Sequence, residues 1–364
     1  MSIAEAAAIS EREIAELFAS FPRSGRVILA VSGGADSTAL MVLAQRWRRR
    51  RARGPDLVVA TVDHGLRPGS RAEGESVGVL ARRLGLPHEI LRWRGAKPKT
   101  GIEAAARAAR YRLLAELARR LGAEAIATAH TLDDQAETVL MRLAAGSGPA
   151  GLAGMRARDV RHGVVLLRPF LRLRKARLLA TLARAKIRWT DDPMNADPAF
   201  ARARLRAAGA ALAREGLTPE RMGRLAQRMA RYEDAVAAAV QTVRPRVADP
   251  QRPGHLDGRA LVAAPEEIAL RLLADEVVAA GAPCSAEKPL RLQRLEALWH
   301  ELRAALVAGR ATRRTLAEAL VTVARDGAVL ITPAPPRRAQ ARQARAASSR
   351  GRRKAAKHPF TKPR

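Results

Sequence analysis

Ser32-Gly33-Gly34-Ala35-Asp36-Ser37 follows the run Arg26-Val27-Ile28-Leu29-Ala30-Val31 and precedes Ala39-Leu40-Met41-Val42-Leu43. Aliphatic and β-branched residues, then two glycines between serines, then a second apolar block, predict a buried strand, a tight turn and a helix start. Gly33 and Gly34 let the backbone approach a ligand, so that successive N–H groups converge on an anion. The helix that follows adds unpaired N–H groups and its positive dipole end at the same point. Ser32 and Ser37 contribute hydroxyl donors. Asp36 is the odd member, because a carboxylate beside a phosphate is repelled unless a divalent cation lies between them, and this predicts Mg2+ at Asp36. The common nucleotide loop ends in Gly-Lys-Ser/Thr, with its lysine on the outer phosphates. This stretch has no such lysine.

Outward from the turn, strand and helix signals alternate. Ser10-Glu11-Arg12-Glu13 fits a capping box at the head of an N-terminal helix within residues 1–24. Asp56–His64 is a second buried strand, and Arg67-Pro68-Gly69-Ser70 turns the chain into a helix running to about Leu84. His88–Trp93 is a third strand, 102–121 a helix, 123–129 a fourth strand and Val164–Leu167 a fifth. The expected fold is α/β, a doubly wound parallel five-stranded sheet over residues 25–206, with ligands at the carboxyl ends of the strands. A mainly helical second domain is expected over 207–334, including helices at about 265–280 and 289–307 and a hairpin around Arg325-Asp326-Gly327. Residues 335–364 form a basic tail.

The fourth strand leads into His130-Thr131-Leu132-Asp133-Asp134-Gln135-Ala136-Glu137-Thr138. Asp133, Asp134 and Glu137, three and four apart, share a helical face near its first turn. Acidic residues there also complement the helix dipole. Their place beyond the end of a parallel strand favours a functional reading. Gly146-Ser147-Gly148-Pro149-Ala150-Gly151 formally matches the dinucleotide fingerprint, but a helix precedes it, so it is expected to be a flexible loop over the site. Asp191–Pro198 is turn-rich and is followed by Arg202, Arg204 and Arg206.

The formal net charge is +31 over 364 residues, and only eight of the 66 basic residues are lysine. A charge of this size attracts polyanions, nucleic acid first among them, although the arginine and alanine bias of the whole chain inflates it. Residues 337–364 carry eleven Lys/Arg and no acid, a composition suited to sequence-blind, salt-dependent attraction to RNA. Aromatic residues are 3%, too few for a base-stacking platform. Cys284 is the one cysteine, which disfavours disulfides, thiolate metal sites and cysteine-carried sulfur. No apolar run is long enough to span a bilayer and the N-terminus has no signal-peptide pattern, so the cytoplasm is the expected compartment.

The ordered set of the 32–37 loop, His130–Thr138, Gly146–Met155, Arg168-Pro169-Phe170-Leu171 and Asp192-Pro193-Met194-Asn195 before an arginine cluster resembles the tRNA(Ile)-lysidine synthase family of PP-loop ATP pyrophosphatases. Met194 stands where that family usually has Ser, and the arginine cluster lacks the family's usual asparagine. The resemblance implies adenylation of the wobble cytidine of a CAU-anticodon isoleucine tRNA by ATP, followed by attack of free lysine to give lysidine. It implies ATP bound by Ser32, Gly33, Gly34, Ala35, Asp36 and Ser37, with Mg2+ on Asp36. The implied catalytic set is Asp36, His130, Asp133, Asp134 and Glu137, with the three helix carboxylates holding the ammonium of lysine or a second metal and one of them taking its proton. Arg107, Arg110, Arg168, Arg202, Arg204 and Arg206 are then candidates for the α-phosphate or the tRNA backbone, and a homodimer is compatible with the reading. Thiolating relatives need cysteines this chain lacks. Amide-forming small-molecule relatives have no use for an arginine-rich second domain and tail. A non-catalytic RNA-binding protein would leave Asp36, Asp134 and Glu137 unexplained.

Overall fold

The computed structural model describes residues 6–66, 70–95, 97, 98, 100–190, 201–281 and 290–335. Cys284, the Asp191–Pro198 segment, Arg67–Gly69 and the basic tail from residue 336 lie outside the described residues.

Two compact units divide at Glu233/Asp234. In the first, α1 (Glu11–Leu17) opens with the expected capping box, Ser10 to Glu13. There follow β1 (Arg26–Ala30), α2 (Ala35–Arg49), β2 (Asp56–Asp63), α3 (Ser70–Arg83), β3 (His88–Arg92), α4 (Ile102–Leu121), β4 (Ala125–Ala127) and α5 (Leu132–Ala144). The short α6 (Pro149–Leu152), the hairpin β5 (Arg158–Arg161) and β6 (Val164–Leu167), α7 (Lys175–Arg184), α8 (Ala201–Ala207) and α9 (Gly209–Arg214) complete the series, before α10 (Pro219–Val247).

The sheet order is β3-β2-β1-β4-β6-β5. Five strands run parallel, as the sequence predicts, and β5 adds a sixth, antiparallel to β6. Arg158-Asp159-Val160-Arg161 gives no strand signal because an edge strand needs no buried face, and charges on it block further pairing. Side chains of β1 alternate between two cores. Val27 and Leu29 pack with α1, α2 and α7 residues such as Ile14, Leu40 and Leu178. Ile28 packs with Tyr111, Leu114 and Leu117 of α4. Helices thus cover both faces, as a parallel sheet requires. The chain passes from β1 to β2 and β3 on one side and then returns to β4 on the other, so the switch point lies between β1 and β4. The loops leaving these two strands carry Ser32–Ser37 and His130–Asp134, and the topology alone makes them neighbours.

The unit boundary falls inside α10, later than the expected 206/207. The physical reason is that Met222 and Ala226 of α10 are buried against Ala136 and Val139 of α5, which ties the start of α10 to the first unit. In the second unit β7 (His255–Asp257), α11 (Gly258–Ala263), α12 (Glu266–Ala280), α13 (Leu292–Val307), β8 (Thr312–Leu316), β9 (Ala319–Val323) and β10 (Ala328–Pro333) follow. The unit is helical with one antiparallel sheet, ordered β7-β10-β9-β8, built on the expected β9–β10 hairpin. Its core centres on Trp299 and Leu302 of α13 with Leu272, Leu273 and Val277 of α12.

Candidate active site

The first wall of the site is the β1–α2 turn. Gly33 has φ +94°, a conformation that a side chain resists, and Gly34 is the N-cap of α2 with no side chain to cap it. The N–H groups at the head of α2 are thereby left for a ligand. The serines brace the turn: Ser32 N–H donates to Ser37 Oγ at 3.1 Å, and Ser37 Oγ donates to the Gly34 carbonyl at 3.0 Å. Thr190 N–H donates to the Gly33 carbonyl at 3.0 Å, fixing the outer side of the loop.

Asp36 stands in the first turn of α2. Its Oδ2 pairs with Lys175 Nζ at 3.1 Å, while its Oδ1 is buried with no hydrogen-bond partner among the described residues. Burial raises its carboxyl above the ordinary range, with Lys175 opposing and Asp134 and Asp133 adding to the rise. A desolvated carboxylate with one ammonium and one orphaned oxygen is short of positive charge, which fits a Mg2+ ion. Among the described residues no three His, Cys, Asp or Glu side chains form a metal cage. A single carboxylate suffices for Mg2+, which takes its remaining ligands from phosphates and water.

The second wall is the start of α5. Thr131 is its N-cap, and Asp134 closes a capping box through Oδ2, which accepts from Thr131 N–H at 2.8 Å and Oγ1 at 2.9 Å. The other oxygen, Oδ1, faces Arg206 at 3.7 Å and Arg202 at 4.0 Å. Glu137 is buried, and Arg206 grips it with both prongs, Nε to Oε1 at 2.6 Å and Nη2 to Oε2 at 3.2 Å. Burial pushes the Glu137 carboxyl up and the Arg206 guanidinium opposes the shift. His130 is hydrogen-bonded through Nδ1 to Thr128 Oγ1 at 2.9 Å. Burial, with the charges of Arg107, Arg168 and Arg202 reinforcing it and Asp134 opposing, lowers its pKa to about 3. The imidazole is therefore neutral at physiological pH and acts as a hydrogen-bonding group.

The structure brings Asp36, His130, Asp134, Glu137, Arg202 and Arg206 into one electrostatic neighbourhood, with Arg107 and Arg110 within reach of Arg202. Arg107 lies 5.3 Å over the Tyr111 ring. Arg204 is exposed on α8. Two expected residues sit differently. Asp133 turns toward the start of α7, where its Oδ2 accepts from Lys175 N–H at 2.8 Å and its Oδ1 from Arg174 Nε at 3.1 Å. Arg168 is buried, and it donates to the Arg156 carbonyl at 2.6 Å and to Asp159 at 3.4 Å. It braces the β5–β6 hairpin, and its charge helps to lower the pKa of His130.

The stretch expected to be a flexible loop is tied down. Residues 149–152 form α6, with Pro149 at its first position. Gln135 clamps the Met155 backbone in both directions, Nε2 to the carbonyl at 3.0 Å and Oε1 from the N–H at 2.8 Å. Arg142 donates to the carbonyls of Gly151 and Gly154. Gln135, Arg142, Arg174 and Lys175 hold places in the site that no local sequence motif marks. The last pair left one signal: two cations at the positive end of a helix call for an acid to offset them.

Residues 6–210 match the PP-loop domain family. The tRNA(Ile)-lysidine synthase of Methylobacterium sp. (strain 4-46) is 55% identical over 320 residues, covering 87% of this chain and 91% of that protein. This chain belongs to the tRNA(Ile)-lysidine synthase family. Family members from Bradyrhizobium sp. (strain BTAi1) and Rhodopseudomonas palustris (strain CGA009) are 50% and 48% identical, covering 91% and 94% of this chain and 96% and 100% of theirs. The fold of this lysidine synthase family member also resembles that of the U34-tRNA thiolase NcsA from Methanococcus maripaludis, with TM-score 0.50, 16% identity and coverage of 60% of this chain and 77% of that one. The likeness extends to the fold alone.

Proposed function

We propose that the chain is an ATP-dependent ligase that joins lysine to C2 of the wobble cytidine in a CAU-anticodon isoleucine tRNA. Family membership over nearly the whole chain carries this reading, and the paired arrangement of phosphate loop and acidic helix start supplies its chemistry. In the first step the cytidine O2 forms a bond to the α-phosphorus of ATP, the bond from that phosphorus to the bridging oxygen breaks, and pyrophosphate leaves. The N–H groups at the head of α2 and the hydroxyls of Ser32 and Ser37 oppose the charge that develops on pyrophosphate. Asp36 would hold Mg2+, which when bound neutralises phosphate charge. Arg107, Arg110 and Arg202 are the reading's donors to the α-phosphate and the RNA backbone.

In the second step the amine of lysine bonds to C2, the C2–O bond breaks, AMP departs with that oxygen, and the amine loses a proton. Asp134 and Glu137 are the acceptors this reading assigns to the lysine ammonium. They reach it by exchanging the Arg202 and Arg206 contacts they now make. Neutral His130 orients the base or nucleotide. The arginine-rich α10 and the basic tail attract the tRNA, lysine comes from free solution, and the cytoplasm is the compartment where both substrates meet. The test is ATP consumption with two transcripts, CAU-anticodon isoleucine tRNA and elongator methionine tRNA. Turnover confined to the first supports the reading, and equal turnover with both contradicts it.

A further inference from the structure

We propose that Lys175 is the resident counter-ion of Asp36 and becomes the donor to the outer phosphates of the nucleotide, and that Asp133 is a positioning residue that sets it there. The proposal rests on the ATP-pyrophosphatase reading above. The 32–37 loop lacks the lysine that a Gly-Lys-Ser loop sends to the outer phosphates. The fold returns one from another element, because Lys175 begins α7 and its Nζ lies 3.1 Å from Asp36 Oδ2.

Arg174 is the N-cap of α7 and makes no side-chain capping bond among the described residues, so two cations crowd the positive end of a helix. Asp133 offsets them. Its two oxygens take Lys175 N–H and Arg174 Nε, and Arg174 also pairs with Glu220 of α10. The first residue of α7 is thus fastened to the first turn of α5, the helix whose next acid, Asp134, faces the arginines of the site. Lys175 is 43% exposed along its side chain, so a ligand arriving at the loop meets it directly. Asp36 would hold the metal ion when nucleotide is bound, and the Lys175 ammonium, freed from its carboxylate partner, would then be available to donate to the outer phosphates.

Calorimetric binding of inorganic pyrophosphate, ATP and AMP, each with Mg2+ and without tRNA or lysine, tests the proposal. Lys175→Gln is expected to weaken pyrophosphate and ATP about tenfold to a hundredfold, the range of a charge-assisted hydrogen bond, and to leave AMP within about twofold. Lys175→Arg restores most of the loss. Asp133→Asn is expected to reproduce the same selective pattern at about threefold to tenfold, since the helix start slackens while the lysine remains. Unchanged pyrophosphate affinity in Lys175→Gln, or an equal loss for AMP, overturns the assignment of Lys175. Pyrophosphate binding untouched in Asp133→Asn, with a higher lysine requirement in the full reaction, overturns the positioning role and returns Asp133 to lysine binding. A protein that binds pyrophosphate as expected yet leaves tRNA unmodified would count against the proposed function and not against this assignment.

Discussion

Asp36→Asn separates stability from function with opposite signs. The pair it breaks is partly exposed, 43% for Lys175 and 23% for Asp36 along their side chains. Such a pair contributes about 0–1 kcal/mol. Against it stands the buried, unpartnered Oδ1, a group of a kind that costs about 1–3 kcal/mol. Removing the charge is therefore expected to leave the fold between neutral and about 3 kcal/mol more stable, a rise in Tm of up to about 6 °C for a unit of this size. Adenylation is expected to disappear while tRNA affinity stays within about twofold, since one carboxylate contributes little to phosphate-dominated binding. The pH dependence gives the sign a second reading. Burial raises the native Asp36 carboxyl above its unfolded value of 3.8, so the native state holds more protons than the unfolded state between the two values. Its contribution to stability falls as pH rises through that window, and Asp36→Asn removes that slope. The assays are thermal melting from pH 4 to 8 and pyrophosphate release with tRNA present. A fall in Tm of more than about 6 °C at pH 7 would show that the Asp36–Lys175 pair outweighs the cost of the buried oxygen, and adenylation surviving in the variant would remove Asp36 from the chemistry.

Gly154→Ala tests the loop clamp: a Cβ there lies 2.7 Å from Gln135 Nε2 on a backbone with φ +67°, so a loss of about 2–4 kcal/mol is expected in urea unfolding. A change under about 0.5 kcal/mol would show that Gln135 moves aside freely. Arg206→Ala leaves Glu137 buried without its guanidinium. With Arg206 itself 38% exposed, about 1–3 kcal/mol of destabilisation is expected, below that of a fully buried pair. Burial then raises the carboxyl further, so the defect is smaller at pH 5 than at pH 8, and a pH-independent loss would contradict that cause. His130, with a pKa of about 3, is expected to show no imidazole titration by NMR between pH 5 and 8. A midpoint near 6.5 would place it in solvent.

The parts of this site that the sequence carried are those encoded within one turn of chain. Ser32–Ser37 supplies its own strand, glycines and helix start, and Thr131 to Asp134 supplies its own capping box. What stayed hidden depends on partners far along the chain. Asp133 looks like a third member of an acidic face until β4 and β6 pair and bring α7 to the head of α5. Lys175 looks like one cation among 66 until the same pairing sets it on Asp36. Arg168 beside Pro169 looks like a surface arginine, yet the antiparallel β5, itself without apolar alternation, covers it. Helices α12 and α13 of the second unit were legible from their apolar spacing, whereas the six-residue α11 was not. The unit's β7 is three residues long and owes its place to pairing with β10, which no local pattern announces.

The proposed reaction modifies one base, and the most direct measurement is mass spectrometry of an unmodified CAU-anticodon isoleucine tRNA after incubation with the protein, ATP and Mg2+, with and without lysine. A lysine-dependent mass gain on the wobble cytidine, equal to one lysine less one water, is expected. ATP split to AMP and pyrophosphate with tRNA bound and no gain on that base would contradict it and direct the search to another acceptor for the same site.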